Sequence, residues 1–432
     1  MRVRRRGTST AATAVLCGTL LLAACGPGGA GGAQGSPPAR TADAPARLPV
    51  PRGAGSDVPD DFNGDGHRDL VLNDLVKKDS HADDAGIGIV YGGPHGLAPG
   101  ARQLLTPKRR AAPTEGRLPA VFDAEEGCDL DGDGFTDLIV STDPPYDGQG
   151  RPPVPLQVLF GSPAGLTGRA VRLTVPDRAR FGNDWPDQPV CGDFDGDGSE
   201  DLVLHASGGR LSYLRGPFGR NGAPRAAGAP LASPGEVPAG PAADVDGDGS
   251  DDLVVRAAQG AGPASLVLGG PAGPVRTGTR LPAGVDAALG RFGRGTALDA
   301  AVGGAAETSL RYDLPTPAAR AALTVPGTML DAADFDGDGR DELVSSGSRL
   351  RVLRAGPAGL SGTGAVTLAP PAPGTTRVLA AGDFDGDGRA DLVVRTYRGG
   401  TRDTVAVYRG SAGDLLGRRP AMTFSSSEFL SG

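Results

Sequence analysis

Residues 193–204 read Asp193-Phe194-Asp195-Gly196-Asp197-Gly198-Ser199-Glu200-Asp201-Leu202-Val203-Leu204, a run of carboxylates and glycines that passes without a break into apolar residues. Aspartates at positions one, three, five and nine of this stretch offer hard oxygen atoms. Glycines at four and six let the chain reverse among them. These are the donors of a Ca2+ loop, with the last acid moved up to position nine. Mg2+ fits less well, because it demands near-ideal octahedral geometry and seldom sits in an all-protein cage.

The stretch recurs in register at Asp61 to Asp69, Asp129 to Asp137, Asp244 to Asp252, Asp334 to Glu342 and Asp383 to Asp391. Each copy runs straight into a strand signal such as Leu70-Val71-Leu72, Leu138-Ile139-Val140 or Leu392-Val393-Val394. A seventh copy, Arg291-Phe292-Gly293-Arg294-Gly295-Thr296-Ala297-Leu298-Asp299, keeps the apolar second residue and the final aspartate but loses the other acids. First positions lie 43 to 68 residues apart, a period that belongs to a propeller, a solenoid or an array. Downstream of each loop comes an apolar strand ending in a Gly and Pro turn, for example Val158-Leu159-Phe160-Gly161-Ser162-Pro163. Four short strands fill such a unit, which is one propeller blade. No segment shows capped helical periodicity, and solenoid units are usually shorter and more uniform. The expected fold is all-β, a seven-bladed β-propeller of four-stranded blades with calcium-binding loops. Dockerins set their loops on helices and thrombospondin type 3 arrays pack them far closer together, so neither fits.

The pattern Asp-Phe-Asp-Gly-Asp-Gly-x-x-Asp-Leu-Val resembles the FG-GAP repeat, also called the VCBS-type repeat of bacterial surface proteins, shared with the β-propeller head of integrin α chains. The resemblance covers about residues 56–432. It implies seven blades with Ca2+ in loops between the first two strands of a blade. By position, the implied ligands are Asp61, Asn63, Asp65 and Asp69 in unit one, Asp129, Asp131, Asp133 and Asp137 in unit two, and Asp193, Asp195, Asp197 and Asp201 in unit three. Units four, six and seven supply Asp244, Asp246, Asp248 and Asp252, then Asp334, Asp336, Asp338 and Glu342, then Asp383, Asp385, Asp387 and Asp391. About six structural Ca2+ ions are therefore expected. Unit five, with Arg291 and Arg294, is expected to hold none, a guanidinium standing in the space instead.

The chain has 432 residues and a net charge of −8, with 71 glycines and 39 prolines spaced mostly as turns. Lys77, Lys78 and Lys108 are its only lysines, which argues against nucleic acid as a partner. His67, His81, His95 and His205 leave little room for histidine or zinc chemistry. No G-x-S-x-G elbow or H-E-x-x-H signature occurs. Asp143, Asp147, Asp184 and Asp187 are loop carboxylates outside the metal pattern. They read either as solvated turn residues or as an acid–base pair, and some proteins with this repeat resemble sugar lyases. Three readings follow: a monomeric binding or adhesion module for a protein or glycan ligand, a secreted carbohydrate-active lyase or hydrolase, and a non-binding structural surface protein.

At the N-terminus, Arg2 and Arg4 to Arg6 precede the uncharged stretch Ala11 to Leu22, too short to span a bilayer and the right length for a signal. Leu22-Ala23-Ala24-Cys25 looks like a bacterial lipobox. Residues 1–24 are expected to be a lipoprotein signal peptide, with Cys25 lipidated and the protein exported and held on the outer face of the cell membrane. Residues 25–55, rich in Gly, Ala and Pro, read as a flexible tether, and 56–432 as the propeller. Cys128 and Cys191 hold nearly equivalent places in successive units and read as a disulfide or as two buried thiols. The surplus of the long units lies in Lys77 to Gly86, Pro99 to Ala120, Pro144 to Pro155 and Pro176 to Pro189. The last of these carries Arg180, Phe181, Asn183 and the only tryptophan, Trp185. That indole either contacts the ligand, sugar or protein, or fills a gap between blades.

Overall fold

Seven larger antiparallel sheets follow one another along the described chain, over residues 70–105, 121–172, 190–232, 237–283, 286–323, 329–368 and 375–424, the last interrupted by a small two-stranded sheet of Gly410–Ser411 and Leu415–Leu416. The computed structural model describes residues 47–77, 85–143, 154–180, 182, 185–257, 262–293, 295–317, 319–347 and 349–430. The signal, Cys25, Phe181, Asn183, Asp147, Asp184 and Arg294 lie outside the described residues. Among the described residues no helix is long and apolar enough to cross a membrane. The architecture is the seven-bladed β-propeller of four-stranded blades that the repeat predicts, with two departures. In the third blade the outer strand is broken into Ala226–Ala227 and Leu231–Ala232, both pairing with Arg210–Arg215.

The first blade has three strands, Leu70–Leu72, Ile87–Val90 and Arg102–Leu105. The residues before its acidic loop, with Pro51, Gly53, Gly55 and Pro59 among them, do not form a strand. They cross the loop as a strap instead. Gly53 N–H donates to the Asn63 carbonyl (3.1 Å), Gly55 N–H to the Gly64 carbonyl (3.1 Å) and Ser56 N–H to Gly134 of the second blade (2.8 Å). The expected tether boundary at residue 55 is therefore corrected. Residues 47–55 belong to the compact unit that begins at Ala44, because their backbone groups are satisfied on the loop.

The core lies between blades. Continuous apolar runs face both neighbours, as in sheets covered on both sides. Phe62, Tyr91 and Ile89 of the first blade, for example, pack with Phe122, Leu138 and Leu159 of the second. The second residue of each loop (Phe62, Leu130, Phe194, Val245, Phe292, Phe335 and Phe384) is buried at every joint. Removing such a side chain from water contributes about 1.5–3 kcal/mol. The ring closes where Leu70, Leu72 and Leu97 of the first blade meet Phe384, Val393, Val405 and Phe424 of the last. Since successive strands alternate in direction, all acidic loops and Gly-Pro turns emerge on one face. The connections between blades emerge on the other.

Candidate metal centre

In each loop the first aspartate organises the turn. Asp129 Oδ1 accepts from the N–H groups of Gly132 (2.9 Å) and Asp133 (3.1 Å), and its Oδ2 accepts from Gly134 (2.7 Å). Asp244, Asp334 and Asp383 repeat this set. The position-five carboxylate accepts from the N–H of position seven, as Asp248 does from Ser250 (3.0 Å). Glycines four and six adopt φ between 67° and 86° in all six loops, a region nearly closed to other residues.

This folding makes acids converge. One oxygen each from Asp129, Asp131 and Asp137 lies within 4.8 Å of the others. The same holds for Asp193, Asp195 and Asp197, for Asp244, Asp246 and Asp248, for Asp334, Asp336 and Glu342, and for Asp383, Asp385 and Asp387. Asp133, Asp201, Asp252, Asp338 and Asp391 stand outside these tightest groups. In the first loop Asp61 Oδ2 accepts from Ser56 Oγ (2.6 Å) and Gly66 N–H (2.7 Å), and Asp65 Oδ1 accepts from His67 N–H (3.1 Å).

Position three tests whether a cation fits. Its Oδ1 atom is buried with no hydrogen-bond donor among the described residues in all six loops: Asn63, Asp131, Asp195, Asp246, Asp336 and Asp385. A buried, unsatisfied oxygen is costly, and the same atom orphaned six times marks the place of a missing positive partner. The other oxygen of each aspartate is held from outside by an arginine. Arg220 reaches Asp131 (2.7 Å), Arg215 Asp195 (3.1 Å), Arg276 Asp246 (3.2 Å), Arg354 Asp336 (2.7 Å) and Arg409 Asp385 (3.0 Å). Among the described residues no arginine is bonded to Asn63. Its Nδ2 donates to the strap at the Pro51 carbonyl (3.1 Å) and to Asp65 Oδ2 (3.2 Å), which leaves Oδ1 as the inward atom. These partners orient ligands as an outer shell does around a metal. The arginines escaped the sequence reading, although Arg215 and Arg354 each end the strand just before the Gly-Pro turn and Arg409 follows its strand directly.

Position nine does a second job. Asp69 accepts from Phe62 N–H (3.0 Å) and Gly92 N–H (2.8 Å), Asp137 from Leu130 (3.1 Å) and Gly161 (2.8 Å), and Asp252 from Val245 (3.0 Å) and Gly269 (2.8 Å). It ties the loop to the turn that ends the third strand. A side chain on that turn glycine is blocked: a Cβ at Gly161 would stand 2.5 Å from the Thr136 carbonyl. Burial, opposed by these N–H groups and reinforced by the loop's other acids, pushes Asp69 and Asp137 up to about 8. Glu342 and Asp391 rise to about 7 for the same leading reason, and a bound cation would favour their ionised forms. The worn fifth loop keeps this tie alone, Asp299 accepting from Phe292 N–H and Asp313 N–H (both 2.8 Å).

Four of the intact loops are also joints. A carbonyl at position one or two accepts from the next blade: Asp61 from Thr136 N–H (3.0 Å), Asp193 from Asp251 N–H (2.8 Å), Leu130 from Phe218 N–H (2.7 Å) and Phe335 from Ser411 N–H (2.9 Å). A cation held by a loop would therefore stiffen the contact between blades. Cys128 and Cys191, at the ends of neighbouring inner strands, are joined as a disulfide with their Cα atoms 6.4 Å apart.

On the opposite face, Trp185 lines a cavity of about 330 Å3 with Asp123, Glu125, Asp143, Asp187 and Gln188. Asp187 Oδ1 is 3.1 Å from His205 Nδ1, and this pairing holds the imidazole above its ordinary value. Two of the four loop carboxylates singled out in the sequence thus share a cavity with the tryptophan.

Residues 334–394 match the FG-GAP-like repeat family and residues 375–414 the FG-GAP repeat, both on the last two blades. No curated protein matches the chain. Among solved structures, two of BBS1N in complex with ARL6DN, soaked with mercury and with lead, are 15% and 16% identical with a TM-score of 0.40 each. The first covers 73% of this chain and 82% of its own, the second 68% and 81%. The Dos1 propeller is 11% identical with a TM-score of 0.48, covering 88% of this chain and 91% of its own. With the acidic stretch recurring in register around a ring of seven sheets, the fold is a seven-bladed β-propeller whose last two blades match the FG-GAP-like repeat.

Proposed function

We propose that this propeller is exported, anchored through a lipid on Cys25, braced by Ca2+ in six loops, and acts at the cell envelope as a binding or adhesion module for a glycan or protein ligand. The observation that carries the calcium is the position-three oxygen, orphaned in every intact loop. When bound, Ca2+ supplies the positive partner that these carboxylates and the Asn63 amide lack. The residues themselves set the cage: positions one and three converge with position five in three loops and with position nine in two, position nine ties the cage to the sheet, and the arginines fix the outer oxygens. Extracellular calcium modules typically dissociate at about 10⁻⁴–10⁻³ M. At ~10 times that concentration each site adds ~1.4 kcal/mol, so the set rivals the stability of a domain.

Metal counting on residues 47–432 should find about six Ca2+ per chain. Chelation should lower the melting temperature by on the order of 10 °C. An unchanged melting point, or a count far below six, would overturn the calcium reading. For the ligand, the Trp185 cavity offers an aromatic face beside carboxylates and an amide, the groups that hold a sugar. Glycan-array binding abolished by Trp185→Ala is the expected result. Asp143 and Asp187 in that cavity favour one second reading, a carbohydrate-active enzyme, recognised by polysaccharide turnover that Asp143→Asn removes.

A further inference from the structure

The face opposite the acidic loops carries a second cavity, of about 850 Å3, at the outer strand of the first blade. Arg47, Arg102, Lys108, Arg109 and Arg110 line it. This is a concentration of cations foreign to a chain of net charge −8. No carboxylate is among its lining residues, and Glu428 Oε2 stands 3.9 Å from Arg102 Nη1. Arg102 is the telling residue. Its side chain is 5% exposed, Nη1 donates to the Pro99 carbonyl (2.9 Å), and Nε is buried with no acceptor among the described residues. Arg110 Nε is buried in the same condition. Burial, with Arg109 and Arg169 nearby, works against the Arg110 charge. Guanidinium groups are not normally left buried with idle donors, so the cavity is short of an anion.

We infer that this cavity binds a phosphorylated ligand through Arg102, Lys108, Arg109 and Arg110. Five cations and no carboxylate line the cavity, so the ligand should bring more than one negative charge. A phosphomonoester carries close to two at neutral pH and offers three acceptor oxygens. Arginine forks suit that geometry. Leu104, Pro107, Pro119 and Phe429 give the cavity an apolar side, and its volume falls among those of small-molecule sites, so the phosphoryl group should be attached to an organic body. The site shares no lining residue with the metal loops or the Trp185 cavity and stands whatever becomes of them.

Glucose 6-phosphate is a suitable probe, since a monoester leaves protein-bound Ca2+ in place. Titrated into the calcium-loaded protein, it should bind where glucose does not, and more weakly as salt rises. The exposed pair Lys108→Ala with Arg109→Ala should weaken binding at least tenfold with the melting point unchanged, and Arg102→Met should abolish it. Sedimentation with vesicles containing phosphatidic acid, whose headgroup is itself a phosphomonoester, separates the sources. Capture that glucose 6-phosphate competes away assigns the same pocket to a lipid headgroup, and binding of the sugar phosphate without capture assigns it to a soluble or polymeric ester. Binding of glucose equal to that of its phosphate, no binding of either probe, or affinity unmoved by the Lys108 and Arg109 pair would overturn the inference. None of these outcomes bears on the calcium count.

Discussion

At the residue scale, position nine divides the metal from the fold. In the sequence it is one carboxylate of a cage, and nothing there reveals that it also holds an N–H some two dozen residues away, as Asp69 holds Gly92. The worn loop separates the two roles. Arg291, Gly293 and Gly295 stand where the first three acids should be, yet Asp299 survives with both backbone bonds intact. Asp299→Ala should therefore destabilise the protein by about 2 kcal/mol or more, since it leaves two buried N–H groups unpaired. Calcium binding should not change. Chemical denaturation with and without Ca2+ checks both halves, and a stability loss confined to the calcium-loaded state would contradict this division. The cation ligands at positions one, three and five were legible because chemistry and spacing coincide there. Their arginine partners were not, because Arg220 reaches its loop from a turn and Arg276 from the start of a strand, at no fixed offset.

At the scale of elements, the strap before the first blade shows what the repeat conceals. Gly- and Pro-rich sequence reads as a tether when nothing marks its partner, and the partner here is the backbone of the Asn63 loop. The strap buries Asp61 and Asn63 completely, whereas the matching acids of the other loops stay partly open. The neutral amide belongs with that burial. A second full charge under the strap, with no arginine to meet it, would be expensive to desolvate. A chain starting at Ser56 should thus lose about tenfold in Ca2+ affinity at one site and leave five unchanged. Calorimetric titration of the two lengths resolves this, and identical isotherms would contradict it.

At the scale of the molecule, the number of blades followed from counting the repeat, while closure of the ring could not. The polar contacts that close it are made by residues without a motif. Arg395 and Asp403 form a salt bridge of 2.7 Å with both side chains fully buried. Arg395 also donates to the carbonyls of Asn73 (2.6 Å) and Asp74 (2.7 Å) of the first blade, and Asp403 accepts from Ser425 Oγ (2.7 Å) and Ser426 N–H (2.9 Å). Arg395→Met strands a buried carboxylate and should cost about 3–5 kcal/mol, read by denaturant unfolding. The double replacement Arg395→Met with Asp403→Leu should recover much of the loss. No recovery would mean that the bonds to Asn73 and Asp74, not the ion pair, make the seam.

Among the described residues no strand of the last blade pairs into the first sheet, so the two sides of the closure meet through packed side chains, the Ser426–Phe429 turn of helix and a backbone bond from Lys77 N–H to Gly400 (3.0 Å). During synthesis the first blade must wait, one flank bare, until nearly the whole chain has left the ribosome. Leu70, Leu72 and Leu97 would stay open to chaperones and proteases for all that time. A product released a few dozen residues early would keep that flank bare for good, and the cell would clear it as unfinished.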